Sequence, residues 1–363
     1  MKLQVTQENL SKALATVGRV ATTRGTLPVL ANVLIKTTDN RLSLSATNLD
    51  IAITQYVGSK ISNSGAITVP ARLIQDFVST LPSDVIDLKL EDYKLHIKSG
   101  SYTSTINGIT AEDFPVMPAI TKKTTWTLQN SVCKDALQQV VVAASSDDAR
   151  PVLTGVFLHS FEGDLYMVAT DSYRLAEKKI GTSKDDVSLL VPASAMQDLL
   201  KIVSDNDSDV EVSHDDQQVL FQVGDVELVT RLIDGNYPDY RKLIPKSFAS
   251  SIRLEKQEFT NLVKIASLFA RESAGSIVLV ADEAEGELQV RSVASQLGEN
   301  TSKAKAKIEG DGSITLNSRY LLDVLSVLRG GEVEFLFNGK LEPALIRDPN
   351  NKDYQHVIMP LKS

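Results

Sequence analysis

At 363 residues and 42% hydrophobic, the chain is long enough for several hydrophobic cores and ordinary enough in composition to be globular throughout. No run approaches the roughly 20 apolar residues of a membrane helix, and Met1-Lys2-Leu3-Gln4-Val5-Thr6-Gln7-Glu8 lacks the apolar stretch of a secretory signal, which points to a cytoplasmic protein. A single cysteine, Cys133, excludes an internal disulfide and a cysteine-based metal site, and the formal net charge of −8, taken whole, argues against a nucleic-acid partner.

A strand through Leu3 and Val5 leads into a predicted helix over residues 7–20, striped by Ala13, Leu14 and Val17. Thr23-Arg24-Gly25-Thr26-Leu27-Pro28 reads as a loop. Strands alternate over 33–36 and 42–45 about the turn Asp39-Asn40 and continue over 51–57. A second helix over 71–81 precedes strands over 86–90, 95–98 and 101–106. The same order begins again at Trp126 and Leu128, with helices over 130–144 and 193–203 and strands near 156–158, 166–169, 210–212, 219–222 and 227–232. It begins a third time at Ile252 and Leu254, with helices over 256–271 and 318–329 and strands near 278–280, 288–291, 303–308, 333–337 and 344–347. Cys133, near a helix start, reads as a small core residue, with a reactive low-pKa thiol as the alternative.

The recurrence is explicit in the second helix of each set. Val69 begins VPARLIQDFVSTL, Val191 begins VPASAMQDLLKIV and Leu316 begins LNSRYLLDVLSVL, and an aspartate holds one place in all three: Asp76, Asp198 and Asp323. Ala46-Thr47-Asn48-Leu49 returns as Ala169-Thr170-Asp171-Ser172, and Phe114-Pro115 as Tyr237-Pro238. The expectation is an α+β protein of three repeated domains, 1–122, 123–248 and 249–363, each made of two strand-helix-strands units.

Charge follows the same division. The six predicted helices carry ten basic and six acidic residues, a net of +4 within a chain of −8, so the remainder carries −12. Either small helices favour lysine and arginine, or the helices face a polyanion. A helix over a sheet buries one face, so the helices gather on one side. With helices inward at roughly 10 Å spacing, six enclose a hole of only about 10 Å; twelve, from two chains head to tail, leave roughly 28 Å. Only the second admits a duplex about 20 Å wide.

Several stretches resemble the bacterial sliding clamp family, the beta subunits of DNA polymerase III. They are Thr26-Leu27-Pro28-Val29-Leu30, Val69-Pro70-Ala71, Ala169-Thr170-Asp171-Ser172-Tyr173-Arg174-Leu175-Ala176, Asp234-Gly235-Asn236-Tyr237-Pro238-Asp239-Tyr240-Arg241, residues 317–325 and Val357-Ile358-Met359-Pro360-Leu361. The resemblance spans the chain. It implies the DNA clamp fold: helices lining a ring, antiparallel sheets outside, closed as a head-to-tail homodimer. It also implies a non-catalytic processivity factor that encircles duplex DNA, tethers the DNA polymerase III catalytic subunit and receives the clamp loader and other clamp-motif proteins, with no cofactor.

It further implies a cleft for partner peptides formed by Arg150, Leu153, Thr170, Ser172, Tyr173, Arg174, Leu175, Pro238, Lys242, Leu243, Asn317, Tyr320, Leu341, Pro343, Val357, Met359, Pro360 and Leu361. Leu153, Leu175, Leu243, Leu341, Val357 and Met359 would wall an apolar pocket and the arginines would meet peptide carbonyls or acids. Without the family, Asp171-Ser172 reads as a tight turn, and Met359 as either ordinary core or pocket wall. Candidates facing DNA are Arg24, Lys12, Arg19, Arg72, Lys134, Lys201 and Lys264, each otherwise a solvated surface charge. Leu268 and Phe269 would pack at the dimer interface, beside edge strands near 101–106 and 296–305. Ser172 stands where a glycine is common in the family, Pro151-Val152 replaces an aromatic pair, and Ser363 ends the chain where an apolar or basic residue is common.

Two other classes are weighed. As an enzyme, the chain would need an acid-base pair, yet the three repeated aspartates lie on separate helices, and His96, His159, His214 and His356 show no metal-ligand spacing. As a protein-only adaptor, it would bind linear motifs without encircling DNA.

Overall fold

The computed structural model describes residues 1–22, 27–118, 120, 124–296 and 298–361. Arg24 and Ser363 lie outside the described residues. The first repeat runs β1 (Lys2–Thr6), α1 (Gln7–Val17), β2 (Asn32–Thr38), β3 (Arg41–Thr47), β4 (Ile51–Gly58), β5 (Lys60–Asn63), β6 (Ala66–Pro70), α2 (Ala71–Thr80), β7 (Val85–Glu91), β8 (Lys94–Ser99) and β9 (Tyr102–Asn107). The second runs β10 (Thr124–Leu128), α3 (Asn130–Val140), β11 (Gly155–Phe161), β12 (Asp164–Thr170), β13 (Arg174–Thr182), β14 (Ser188–Pro192), α4 (Ala193–Ser204), β15 (Val210–His214), β16 (Gln218–Val223) and β17 (Val226–Arg231). The third runs β18 (Ser250–Glu255), α5 (Lys256–Phe269), β19 (Ser276–Asp282), β20 (Glu287–Ala294), β21 (Gly298–Lys305), β22 (Lys307–Glu309), β23 (Gly312–Asn317), α6 (Ser318–Val327), β24 (Glu332–Phe337), β25 (Ala344–Asp348) and β26 (Asn351–Ile358).

In α1 and α6 the apolar stripe and a side-chain cap coincide. Thr6 caps α1, its hydroxyl accepting from the Asn9 N–H, and Leu10, Ala13, Leu14 and Val17 are buried. Asn317 caps α6 by accepting from the Arg319 N–H at 2.9 Å. Several helices end earlier than the pattern suggests, among them α3, which stops at Val140 and passes into a 3-10 turn over Val141–Ala143. α1 stops at Val17 with the Gly18 N–H bonded to Leu14 O, which puts Arg19 beyond it; Arg271 falls in a 3-10 turn after α5, and Arg329 lies past α6. The span 303–308 is two strands, broken where the Ala306 N–H turns to Gly286 O at 2.9 Å.

The chain divides into two compact units, residues 1–133 with 194–232, and 134–193 with 233–363. The first unit holds a five-stranded sheet, β5-β1-β7-β8-β9, and an eight-stranded sheet, β10-β15-β16-β17-β4-β3-β2-β6. The second holds a nine-stranded sheet, β14-β11-β12-β13-β26-β25-β24-β18-β22, and a four-stranded sheet, β21-β20-β19-β23. The division cuts across the middle repeat because the hydrogen-bonded seams run between repeats. β17 pairs antiparallel with β4, placing Leu228 opposite Ile53, and β13 with β26, placing Leu175 opposite Val357. Cys133 is buried and its thiol is pushed up to about 12 by desolvation, so it is an inert core residue.

Candidate partner-binding site

The cleft residues all belong to the second unit. The turn between β12 and β13 is built by its own side chains. Asp171 Oδ1 accepts from the N–H groups of Tyr173 and Arg174, both at 2.9 Å, while the Thr170 hydroxyl donates to Arg174 O at 2.6 Å. Ser172 consequently sits at φ +77°, and Arg150 Nη1 donates to its hydroxyl at 2.9 Å. The tight-turn reading of Asp171-Ser172 describes this segment.

Arg174 is held by contacts within the chain. Its guanidinium donates through Nε to Asp171 at 3.0 Å and through Nη1 to Asp323 at 2.5 Å, and it lies 4.5 Å from the centroid of the Tyr320 ring. With its side chain 10% exposed, it straps the β12–β13 turn to α6. Asp323, legible in the sequence only as the third repeated aspartate, is the partner that holds it.

From Met359 the chain leaves β26 along this strap, with the Met359 N–H bonded to Tyr173 O at 2.8 Å and the Leu361 N–H to Thr315 O at 2.9 Å. Pro360 lies between them, half-buried like Met359 and Leu361 and beside the start of α6, where Asn317 also donates to Ala274 O. Leu153, Leu175 and Val357, expected as pocket walls, are 4%, 3% and 2% exposed. They form a floor. Leu175 and Val357 pack in one cluster with Val168, Tyr240, Leu336 and Leu345. The exposed apolar groups above it are Tyr173, Leu243 and Leu341, and Pro238 and Lys242 are exposed on the segment leading to Leu243, while Pro343 is half-buried after Leu341. Thr170 is buried.

The basic candidates are less uniform. Lys12 Nζ donates to Asp205 O at 3.1 Å and Arg19 lies 3.8 Å from the Asp205 carboxylate. Arg72 is 91% exposed and 3.9 Å from Asp76; Lys201 is 3.8 Å from Asp198. Lys264 is exposed on α5, and Lys134 is half-buried on α3. The three repeated aspartates therefore meet three different bases, Arg72, Lys201 and Arg174, and make no acid-base dyad.

These elements, taken with the whole sequence, match known proteins end to end. Family models described as the N-terminal, central and C-terminal domains of the DNA polymerase III beta subunit match residues 1–118, 127–239 and 241–362. The beta sliding clamp of Bacillus subtilis (strain 168) is 30% identical over 377 residues, covering all of both chains. The chain belongs to the DNA polymerase III beta-subunit family. The beta sliding clamp of Staphylococcus aureus (strain Mu50 / ATCC 700699) is 29% identical over 355 residues, 94% of this chain and 93% of that one. Among solved structures, the Pseudomonas aeruginosa sliding clamp bound to griselimycin superposes with a TM-score of 0.95 at 28% identity over the full length of both. As a member of this family the chain is a non-catalytic processivity clamp for DNA polymerase, with the α+β clamp fold.

Sequence reasoning missed a buried polar group under this clamp's cleft. Glu177, on β13, is 3% exposed; its Oε2 accepts from the Tyr240 hydroxyl at 2.5 Å and lies 3.3 Å from Arg241 Nη2, and its Oε1 accepts from Gln355 Nε2 at 2.6 Å. His159 Nε2 lies 2.7 Å from the same hydroxyl, and burial holds the imidazole below its usual pKa. The available signal was an acid in the strand run Arg174-Leu175-Ala176-Glu177, paired with a Tyr-Arg in the later Asp-Tyr-Arg motif.

Proposed function

We propose that two copies of the chain close head to tail into a ring that encircles duplex DNA in the cytoplasm. In this reading each copy is three clamp domains, 1–122, 123–248 and 249–363. The observation that carries it is the pairing of the sheets. By position in the repeat, β4, β13 and β21 are equivalent, and so are β9, β17 and β26. Within the chain β4 takes β17, and β13 takes β26. That leaves β21 and β9, each at the edge of its sheet, as the remaining complementary pair. A copy that presents β21 and lacks a β9 neighbour is completed by the β9 of a second copy, and two such seams close. Exposed Ile265 and Leu268 with half-buried Phe269 on α5, the helix packed on β20 and β21, support an apolar contact there.

Lys12, Arg19, Arg72, Lys134, Lys201 and Lys264 give a shallow, salt-screened attraction to phosphates without base readout, and retention is topological. The cleft at Arg150, Ser172, Tyr320 and Met359 receives extended segments of the polymerase catalytic subunit, the clamp loader and other partners through apolar anchors over the Leu175–Val357 floor.

The deciding experiment loads the protein onto nicked circular plasmid with the organism's clamp loader and ATP, raises the salt, and then linearises the DNA with one cut. Survival on the circle followed by release on cutting is expected. Loss from the intact circle at high salt would overturn encirclement and leave a protein-only adaptor.

A further inference from the structure

Three separate stretches contribute to the cleft: β13 with Arg174 and Leu175, the end of β26 leading to Met359, and the segment 238–243. They meet at one carboxylate. Glu177 is three residues along β13 from Arg174 and directly opposite Gln355 of β26, whose amide it accepts through Oε1 at 2.6 Å. Through Oε2 it accepts the Tyr240 hydroxyl at 2.5 Å, which fixes the 3-10 turn Tyr240–Leu243 that carries Lys242 and Leu243. Tyr240 is 3% exposed while Leu243, in the same turn, is 51% exposed, so the turn is held from beneath by the one and presents the other.

A buried carboxylate is costly unless it is paired and hydrogen-bonded, and a hydrophobic side chain would fill this position at lower cost. What the carboxylate supplies is direction: two acceptor oxygens that tie two other chain segments to a third at fixed angles. A peptide bound across all three gains affinity when they are already in place. We propose that Glu177 is the positioning residue of the cleft, holding the Tyr240–Leu243 turn and β26 in register with Arg174 and Leu175. The proposal rests on the cleft reading given above.

The test uses the full chain and measures its affinity for the organism's DNA polymerase III catalytic subunit by surface plasmon resonance. Glu177→Ala and Tyr240→Phe are each expected to weaken binding about tenfold, the factor for one charge-assisted hydrogen bond. Glu177→Gln is expected to lose less affinity than Glu177→Ala: its amide oxygen still accepts from Gln355 and its amide nitrogen donates to Tyr240 while that hydroxyl turns to His159, but the negative charge beside Arg241 is gone. Val290→Ala, in the four-stranded sheet of the same unit, is the control for stability alone: it should lower the unfolding midpoint and leave affinity unchanged. Tyr240→Phe keeps the test open if Glu177→Ala does not fold. Wild-type affinity in both variants, or an equal loss in Val290→Ala, would overturn the proposal. Leu243→Asp separates it from the cleft reading. If that variant loses binding while the Glu177 and Tyr240 variants do not, only the positioning role fails; if it binds as wild type, the cleft itself is wrong and the proposal falls with it.

Discussion

Arg174 and Asp323 are separated by 149 residues of chain and joined by a 2.5 Å hydrogen bond that ties the turn before β13 to the middle of α6. The arginine is 10% exposed and the aspartate 29%, and Asp171 takes the second donor of the same guanidinium. Removing one partner leaves a largely buried charge half-satisfied, which costs roughly 3–5 kcal/mol when burial is complete. Here solvent still reaches Asp323, and Asp171 remains. Asp323→Ala is therefore expected to lower the stability of the second unit by about 2 kcal/mol, read as a lowered midpoint in urea. The equivalent Asp76→Ala, whose pair with Arg72 is exposed, should change little; equal effects would mean that the strap contributes nothing special.

Ser172 has φ +77°, a conformation that costs a side-chain-bearing residue roughly 1–2 kcal/mol and costs glycine nothing. Ser172→Gly is expected to raise stability by about 0.5 kcal/mol, after the added freedom of the unfolded glycine and the lost bond from Arg150 are set against the relieved strain. Ser172→Val, β-branched and unable to receive Arg150, should lower it by more than 1 kcal/mol, on the order of the strain itself. Chemical unfolding of the two variants against wild type decides the sign.

The helices and most strands were legible because their apolar residues recur at 3.6 or 2. β13 and β26, the strands that join the second unit's nine-stranded sheet, were not. β13 buries Glu177 and Lys178, so its inward positions are not apolar, and β26 opens on the outward Asn351-Lys352-Asp353 and then buries Tyr354, His356, Val357 and Ile358, so neither strand shows a two-residue hydrophobic alternation. Glu177 at 3% and Lys178 at 8% exposure are inside because β26 pairs alongside them and the Tyr240–Leu243 turn meets Glu177, which is long-range information. The cleft residues came from family resemblance, and the contacts of Arg174 with Asp171 and Asp323 were not legible beside them, since the second lies 149 residues away. The repeat was fully visible, but that the sheets would fuse between repeats was not, since pairing at β4–β17 and β13–β26 leaves no local mark.

His356 is wholly buried on β26, with Nδ1 against the Tyr354 hydroxyl at 2.9 Å, and desolvation together with the positive charge of Arg174 pushes its pKa down to about 3. The folded state therefore keeps it neutral where the unfolded chain, with an ordinary histidine near 6.5, has taken a proton. Its contribution is fully present above that value and is lost as pH falls towards 3, at about 1.4 kcal/mol per pH unit once the unfolded histidine is protonated. His159, shifted the same way by burial, adds to the loss over the start of the same window. His356→Phe keeps the volume and removes the proton, so between pH 6 and pH 4 the wild type should lose stability faster than the variant by nearly one proton's worth. Urea unfolding at several pH values gives both slopes, and parallel lines would mean that His356 titrates normally in the fold.

Leu268 stands 54% exposed near the end of α5, with Ile265 one turn earlier at 44%, on the helix that packs over β20 and β21. An isolated chain gains nothing from this apolar step, whereas a second copy seated against β21 would cover it. Leu268→Asp places a charge there that an isolated chain tolerates in water and an interface does not. Analytical ultracentrifugation at micromolar concentration is expected to show a dimer for the wild type and a single chain for the variant, with the unfolding midpoint of the monomer little changed. Affinity for the polymerase catalytic subunit should also persist in the variant, since every cleft residue comes from one copy. A wild type that sediments as one chain would remove the ring, and a variant that stays dimeric would move the interface away from α5.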